Sequence, residues 1–369
     1  MFRSTTSVVA LLAAMSVPAL AADYGDWDDE SAAPDFRSGY PTEPGDWAGL
    51  GDTDDPVTFE IGTRYWYSIG SQNFSSGNGS VEATDETHSG ELHLRIEDHS
   101  TNTFAKANIG YSIASGGSYT HTTIVPPMVF SGSVTGGHIG YAGADFGWNA
   151  FGDNNGSGAG VLVGYQFWND NLTGRNNITT LTTGSTVPYD PITGQTTIPG
   201  DSVQNSYDVH ALRLGVQGKA KLGEFFDISA EVAAVPYAKI YGTVGVDDPE
   251  FSTTEYAGPA QFPYSGANGN ISSMRSSATT IDGWGYGAMA EAWLGMHPTE
   301  NLTFRLGGRA SYLQGSADQT YSRVFITDPG PAGGPYVTDP VATEVGVIET
   351  NNPFSMMRYG LLAEFTYSF

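Results

Sequence analysis

The chain has no cysteine among its 369 residues, which removes thiol nucleophiles, cysteine zinc sites and disulfide staples together. Basic residues are scarce. Fifteen Lys and Arg stand against 40 Asp and Glu, a formal charge of −25 that repels phosphates, so no nucleic-acid partner is expected. Beyond the N-terminus no segment offers the roughly 18 apolar residues in a row that a membrane-crossing helix needs. With 48 glycines and 20 prolines, long helices are disfavoured, while the tyrosines and β-branched residues favour strands. No P-loop, zinc motif or Ser/His/Asp spacing is present, and neither cofactor nor metal is expected.

What is there begins with MFRSTTSVVALLAAMSVPALA, which pairs one cation, Arg3, with a short apolar stretch ending in Ala19-Leu20-Ala21. These are the n-region, h-region and small-x-small cleavage site of a secretory signal, so residues 1–21 are expected to direct export rather than to form a short buried helix. Residues 22–56 carry eleven acids against the single Arg37 and show no apolar periodicity. An acidic, solvated periplasmic tail is expected there, with a calcium- or partner-binding arm as the alternative.

From Val57 the residues alternate. In VTFEIGTRYWYS one face carries Val57, Phe59, Ile61, Tyr65 and Tyr67, and the other Thr58, Glu60, Gly62, Arg64 and Ser68, with Trp66 as the exception. Leu92, Leu94 and Ile96 oppose Glu91, His93, Arg95 and Glu97 in the same way. The period of two predicts ten strands, near 57–70, 88–98, 103–114, 135–149, 158–169, 205–218, 224–246 (bending near Pro236), 277–296, 301–316 and 353–369. Connections after even-numbered strands are short. Those after odd-numbered strands, about 71–87, 115–134, 170–204, 247–276 and 317–352, read as long loops. Short turns at one end and long loops at the other characterise transmembrane β-barrels. The expected fold is therefore all-β, an antiparallel ten-stranded transmembrane barrel over residues 57–369, with short periplasmic turns and long extracellular loops.

The charges decide which face points outward. An Arg or Lys facing the bilayer midplane costs about 2–4 kcal/mol, so the charged face belongs in the lumen. A lumenal network of Glu60, Arg64, Glu91, Arg95, Lys106, Arg213, Glu231, Glu291, Arg305, Arg309, Arg358 and Glu364 is predicted, with Glu97 and Asp227 as further partners. The outward faces then carry two aromatic girdles. Tyr65, Tyr67, Tyr111, Tyr165, Trp284, Tyr286, Tyr312 and Tyr359 form one, and Phe226, Phe304, Phe365, Tyr367 and Phe369 the other. Ten strands enclose little space, so a mostly plugged lumen is expected, with function placed on the loops.

The ending RYGLLAEFTYSF, with Phe365, Tyr367 and Phe369 at alternate positions, resembles the C-terminal sorting signal of outer-membrane proteins as a class. The resemblance implies the barrel assembly machinery as a partner. GTRYWYS, GYAGADFGW, VGYQFWND, RLGVQGKAKL, VPYAKIYG and DGWGYGAMAEA, with that ending, resemble the omptin-like barrels, a group of outer-membrane proteases and adhesin-like relatives. This likeness implies contact with outer-membrane lipid and lipopolysaccharide, and a monomer is expected.

Omptin chemistry would need an Asp pair on the second large loop and an Asp-x-His pair on the fourth, where a carboxylate-oriented imidazole activates water. The second loop here has no acid, although it holds His121. The fourth has Asp247, Asp248 and Glu250 but no histidine. One Asp-x-His occurs elsewhere, Asp208-Val209-His210, and these two residues are the candidates for a relocated dyad. Against that, they share the outward strand face of Leu212 and Leu214. The expected role is a surface-displaying barrel without catalysis. An omptin-type endopeptidase and a narrow porin-like channel are the alternatives.

Overall fold

The computed structural model describes residues 57–369, except 78, 124–127, 153–156, 181–194, 198–201, 204, 224, 245–272, 276–278, 300 and 327–341. The signal segment and the acidic tail lie outside the described residues, as do Asp247, Asp248 and Glu250. The strands are β1 (Val57–Ser76), β2 (Gly79–Asp98), β3 (Thr103–Thr123), β4 (Met128–Gly152) and β5 (Gly158–Thr180), then the short β6 (Gln195–Thr197) and β7 (Ser202–Val203). They continue with β8 (Asn205–Leu222), β9 (Phe226–Val244), the short β10 (Ser273–Arg275), β11 (Thr279–Met296), β12 (Leu302–Ile326) and β13 (Ala342–Ser368).

Ten long strands pair antiparallel in the order β1-β2-β3-β4-β5-β8-β9-β11-β12-β13. The ring closes because β13 pairs both β12 and β1, Tyr367 lying opposite Leu302 on one side and Ile61 on the other. A ring leaves no unpaired edge, which is what a sheet immersed in lipid requires. β6 and β7 add to β5, and β10 to β12. Pro236, which has no N–H to give, sits where β9 skips a register step against β8 and β11, so the ladder bulges there.

One end of the ring carries tight connections. Residues 99–102 join β2 to β3, with Asn102 at φ 56°. Asp98 accepts from the Ser100 and Thr101 amides at 2.8 and 3.3 Å and from the Thr101 hydroxyl at 2.9 Å. Hydrogen bonds from Ser100 and Thr101 hold its carboxyl below the ordinary range. His297 donates its amide to Phe225 O at the same end.

The other end departs from the sequence reading. Residues 71–87 are not a loop: β1 and β2 run on as a hairpin in which Ser76 faces Gly79. Most of 115–134 is likewise strand, with Thr123 opposite Met128. β5, β12 and β13 also extend into segments expected to be loops.

The reason is a reversal of faces along single strands. In β2 the odd residues point inward throughout. They read Glu91, His93, Arg95 and Glu97 near the turns but Val81, Ala83, Asp85 and Thr87 farther up. The outward residues change the other way, from Leu92, Leu94 and Ile96 to Glu82, Thr84 and Glu86. β8 does the same, with inward Arg213 giving way to Ala211 and Val209, and outward Leu212 to His210 and Asp208. Below the reversal the barrel is apolar outside, as lipid demands. Above it the barrel is apolar inside, as water demands. The lipid-facing stretch of β2, from Asp98 to His88, covers eleven residues, roughly 25 Å once strand tilt is included.

Candidate functional site

The lumen has three layers. In the lower one, between the turns and the reversal, charged side chains from opposite walls meet. Arg64 on β1 donates to Glu91 at 2.8 Å and to Glu364. Arg309 on β12 donates to Glu91 at 2.8 Å and to Glu291 at 2.6 Å. Arg305 donates to Glu60 and Glu364, each at 2.7 Å. On the facing wall Arg213 donates to Asp145 at 2.9 Å and to Glu231 at 2.5 Å, and Lys106 reaches the same two carboxylates. Arg95 pairs with Glu97 of its own strand and lies 4.8 Å over the Phe104 ring. Asp227 accepts from His297 at 2.6 Å.

Trp66, the apolar residue on a polar face, is buried among these charges with the Arg309 guanidinium 5.0 Å above its ring. Arg64 covers Trp293 and Arg358 covers Trp168, each at 5.0 Å. Tyr141 stacks on Trp168 at 5.2 Å and takes the space a side chain at Gly110 would fill. This floor of aromatic rings and guanidinium groups ends a cavity of about 1150 Å³ that reaches the turns, where Thr58, His99, Lys221 and Ser368 line it. The lower lumen is therefore an open, charged vestibule, and the ion pairs do not plug it.

The plug lies above the floor. Phe74, Val81, Tyr119, Tyr207, Val209, Val235, Ile240, Val244, Ile281, Leu313 and Phe354 form one buried cluster across the barrel. Phe74 stacks on Phe354 at 5.9 Å and meets Tyr207 edge-on at 5.7 Å. His121 is buried inward at this level.

A small polar layer packs against the plug, sharing Tyr207 with it. Arg358, placed in the charge network by its sequence, points here. Its two arms donate to Asp85 at 2.8 and 2.7 Å, and one also to Ser68 at 3.0 Å. A methyl at Gly70 would overlap this pair. Asp170 accepts from Gln72 at 2.6 Å and Tyr207 at 3.4 Å, and Asn205 donates to Gln72 at 2.7 Å. Asp85 and Asp170 went unnoticed because both stand on segments assigned to loops. Asp145 went unnoticed because Gly143 and Gly147 dilute the alternation of β4. A signal existed in each case, an acid on the inward parity.

Asp208 and His210 stand on the outward face. Asn169 donates to Asp208 at 2.7 Å. His210 bonds Tyr165 and, at 3.0 Å, Tyr241, on which it stacks at 5.5 Å. The imidazole is thus held by tyrosines and not by the carboxylate two residues away. His88 has a like setting, its Nδ1 2.5 Å from the Tyr65 hydroxyl. Among the described residues no three or more His, Asp or Glu gather as a metal site.

Compared with solved structures, the chain is similar to the outer membrane protease OmpT from Escherichia coli, at TM-score 0.56 and 8% identity, over 86% of this chain and 98% of that one. Also similar are the translocator domain of the autotransporter NalP from Neisseria meningitidis (TM-score 0.29, 9% identity, 86% and 91% covered) and the P. putida toluene transporter TodX (0.23, 10%, 87% and 92%). No protein-family model matches the chain, and no curated protein matches its sequence. The fold is that of an outer-membrane β-barrel. The ring is ten-stranded, and in fold it is similar to OmpT.

Proposed function

We propose that this is a sealed outer-membrane barrel that carries a rigid β-extension beyond the bilayer for display at the cell surface, without peptidase activity and without a through-channel. The observation that supports it best is the apolar cluster across the upper lumen, centred on Phe74, Tyr207, Ile240 and Phe354. Ions crossing it would lose hydration with no polar lining to replace it.

The omptin chemistry implied by resemblance needs acids in the hairpin of β3 and β4, where the sequence has none between residues 115 and 134. In this reading Asp208 and His210 serve the rim, export depends on residues 1–21, and Phe365, Tyr367 and Phe369 address the assembly machinery. Outer-membrane lipid and lipopolysaccharide are met by the outward girdles.

Planar-bilayer recording of the refolded barrel, alongside a peptide-hydrolysis assay, tests this reading. Silence in both is expected. Discrete open levels would restore the channel alternative, and hydrolysis abolished by D208A/H210A would restore the endopeptidase.

A further inference from the structure

The polar layer packed against the plug has one negative charge too many. Arg358 faces it from β13 and Asp85 from β2, and their two-armed contact neutralises one carboxylate. Among the described residues Asp170 from β5 makes no direct ion pair, and the nearest cation, Arg358, is engaged by Asp85. The other groups turned toward it are Gln72 from β1 and Asn205 and Tyr207 from β8, and none carries a positive charge. Asp170 is fully buried. A buried carboxylate whose nearest cation is already bonded to another acid is costly and takes up a proton where it can.

A second observation points the same way. Among the described residues two buried oxygens of this layer have no hydrogen-bond donor, Asp170 Oδ1 and Asn205 Oδ1. Both residues are tied to the same Gln72, whose Nε2 donates to Asp170 while its Oε1 accepts from Asn205. β5 and β8 are neighbours in register, Asp170 opposite Tyr207, two residues along from Asn205.

We propose that Asp170 is a proton-binding site and the latch of the seal, held as the neutral carboxylic acid with its Oδ1–H donating to Asn205 Oδ1. One proton taken from solvent brings the layer from −1 to zero and satisfies both lone oxygens. Loss of that proton leaves two carboxylates sharing one guanidinium against the apolar plug. Asp170 stands above the lipid-facing band, beside outward Asn169, Asn171 and Ser206. Burial, with the Asp85 charge beside it, pushes the Asp170 carboxyl up from 3.8 to about 7. A carboxyl raised in the folded state binds more protons folded than unfolded. Its stabilisation is complete below the unfolded value and drains away as pH rises through the folded one.

The mechanical consequence rests on the sealed-lumen reading, but the protonation does not, and the experiment separates them. The full refolded barrel in detergent is followed by infrared difference spectroscopy and by its thermal midpoint, from about pH 4 to about pH 9 at fixed ionic strength, beside Asp170→Asn. The proposal expects a protonated-carboxyl stretching band that disappears on raising the pH, is absent in D170N, and accompanies a midpoint that falls over that range in the wild type. It expects D170N, whose amide can donate to Asn205, to lose that part of the slope. No such band, or the same band and slope in D170N, overturns it. So does recovery of alkaline stability on adding sodium or calcium, which would make the missing charge a metal ion. Should D170N fail to fold, the wild-type infrared titration decides alone. Ion conductance at the acidic end, with the band present, would refute the sealed lumen and leave the proton assignment standing.

Discussion

Phe59 and Phe369 exchange both backbone hydrogen bonds, at 3.0 and 2.9 Å, and their rings stack at 5.9 Å. The first strand and the last residue therefore close the ring together at its turn end. Shortening the chain by Phe369 removes one rung and one aromatic of the lower girdle. The heat-modifiable folded band on unboiled gels is expected to form more slowly for Phe369→Ala and for the deletion, with the deletion worse. Equal folding yields for all three would show that the final rung is dispensable.

The reversal of faces makes a paired prediction on one strand. Leu94 and Thr84 both point outward from β2, Leu94 below the reversal and Thr84 above it. Leu94→Arg is expected to cost about 2–4 kcal/mol in urea unfolding from lipid vesicles, and Thr84→Arg close to nothing. Similar losses at both sites would mean that the lipid boundary has been drawn at the wrong level.

Arg309 joins two walls of the vestibule by holding Glu91 and Glu291. Removing it as Arg309→Met leaves two carboxylates short of a partner, although Arg64 still holds Glu91. A loss on the order of 3 kcal/mol is expected in the same unfolding experiment. Arg309→Lys should recover only part of it, because a point charge cannot bond both acids in the fork that the guanidinium uses. Full rescue by Lys would reduce the role of Arg309 to charge alone.

Phe74 is buried in the plug between Phe354 and Tyr207. Phe74→Ala is expected to destabilise the barrel by about 3–5 kcal/mol and to raise its bilayer conductance above a silent wild type. Destabilisation without conductance would show that the remaining cluster closes over the gap.

His210 is caged by Tyr165 and Tyr241 on the outward face. His210→Ala should therefore leave the absence of peptide hydrolysis untouched and cost no more than about 1 kcal/mol, the value of one or two half-exposed hydrogen bonds.

Much of the architecture was legible because alternation is a local signal. Phe59, Ile61 and Tyr65 against Glu60 and Arg64 suffice to mark β1 and its two faces, and ten such segments yield the ring. The upper third of the strands was not legible for a related reason. In VEATDET the alternation persists, but its polar residues lie on the face that is apolar in LHLRI. A reading that follows one greasy face sees the stripe end at His88 and infers a loop. The polar layer was hidden for the same cause, since Asp85 and Asp170 stand just past that switch. The plug depends on distant strands meeting, as Phe74 meets Tyr207 across the barrel, and no single segment announces that.

The switch of faces also fixes how deep the molecule rides. Sinking by two residues would draw Glu86 of β2 toward hydrocarbon, and rising by two would lift Leu92 toward water. Displacement either way is opposed by many strands at once, so the waterline is written into the pleat of the wall and needs no anchor outside it.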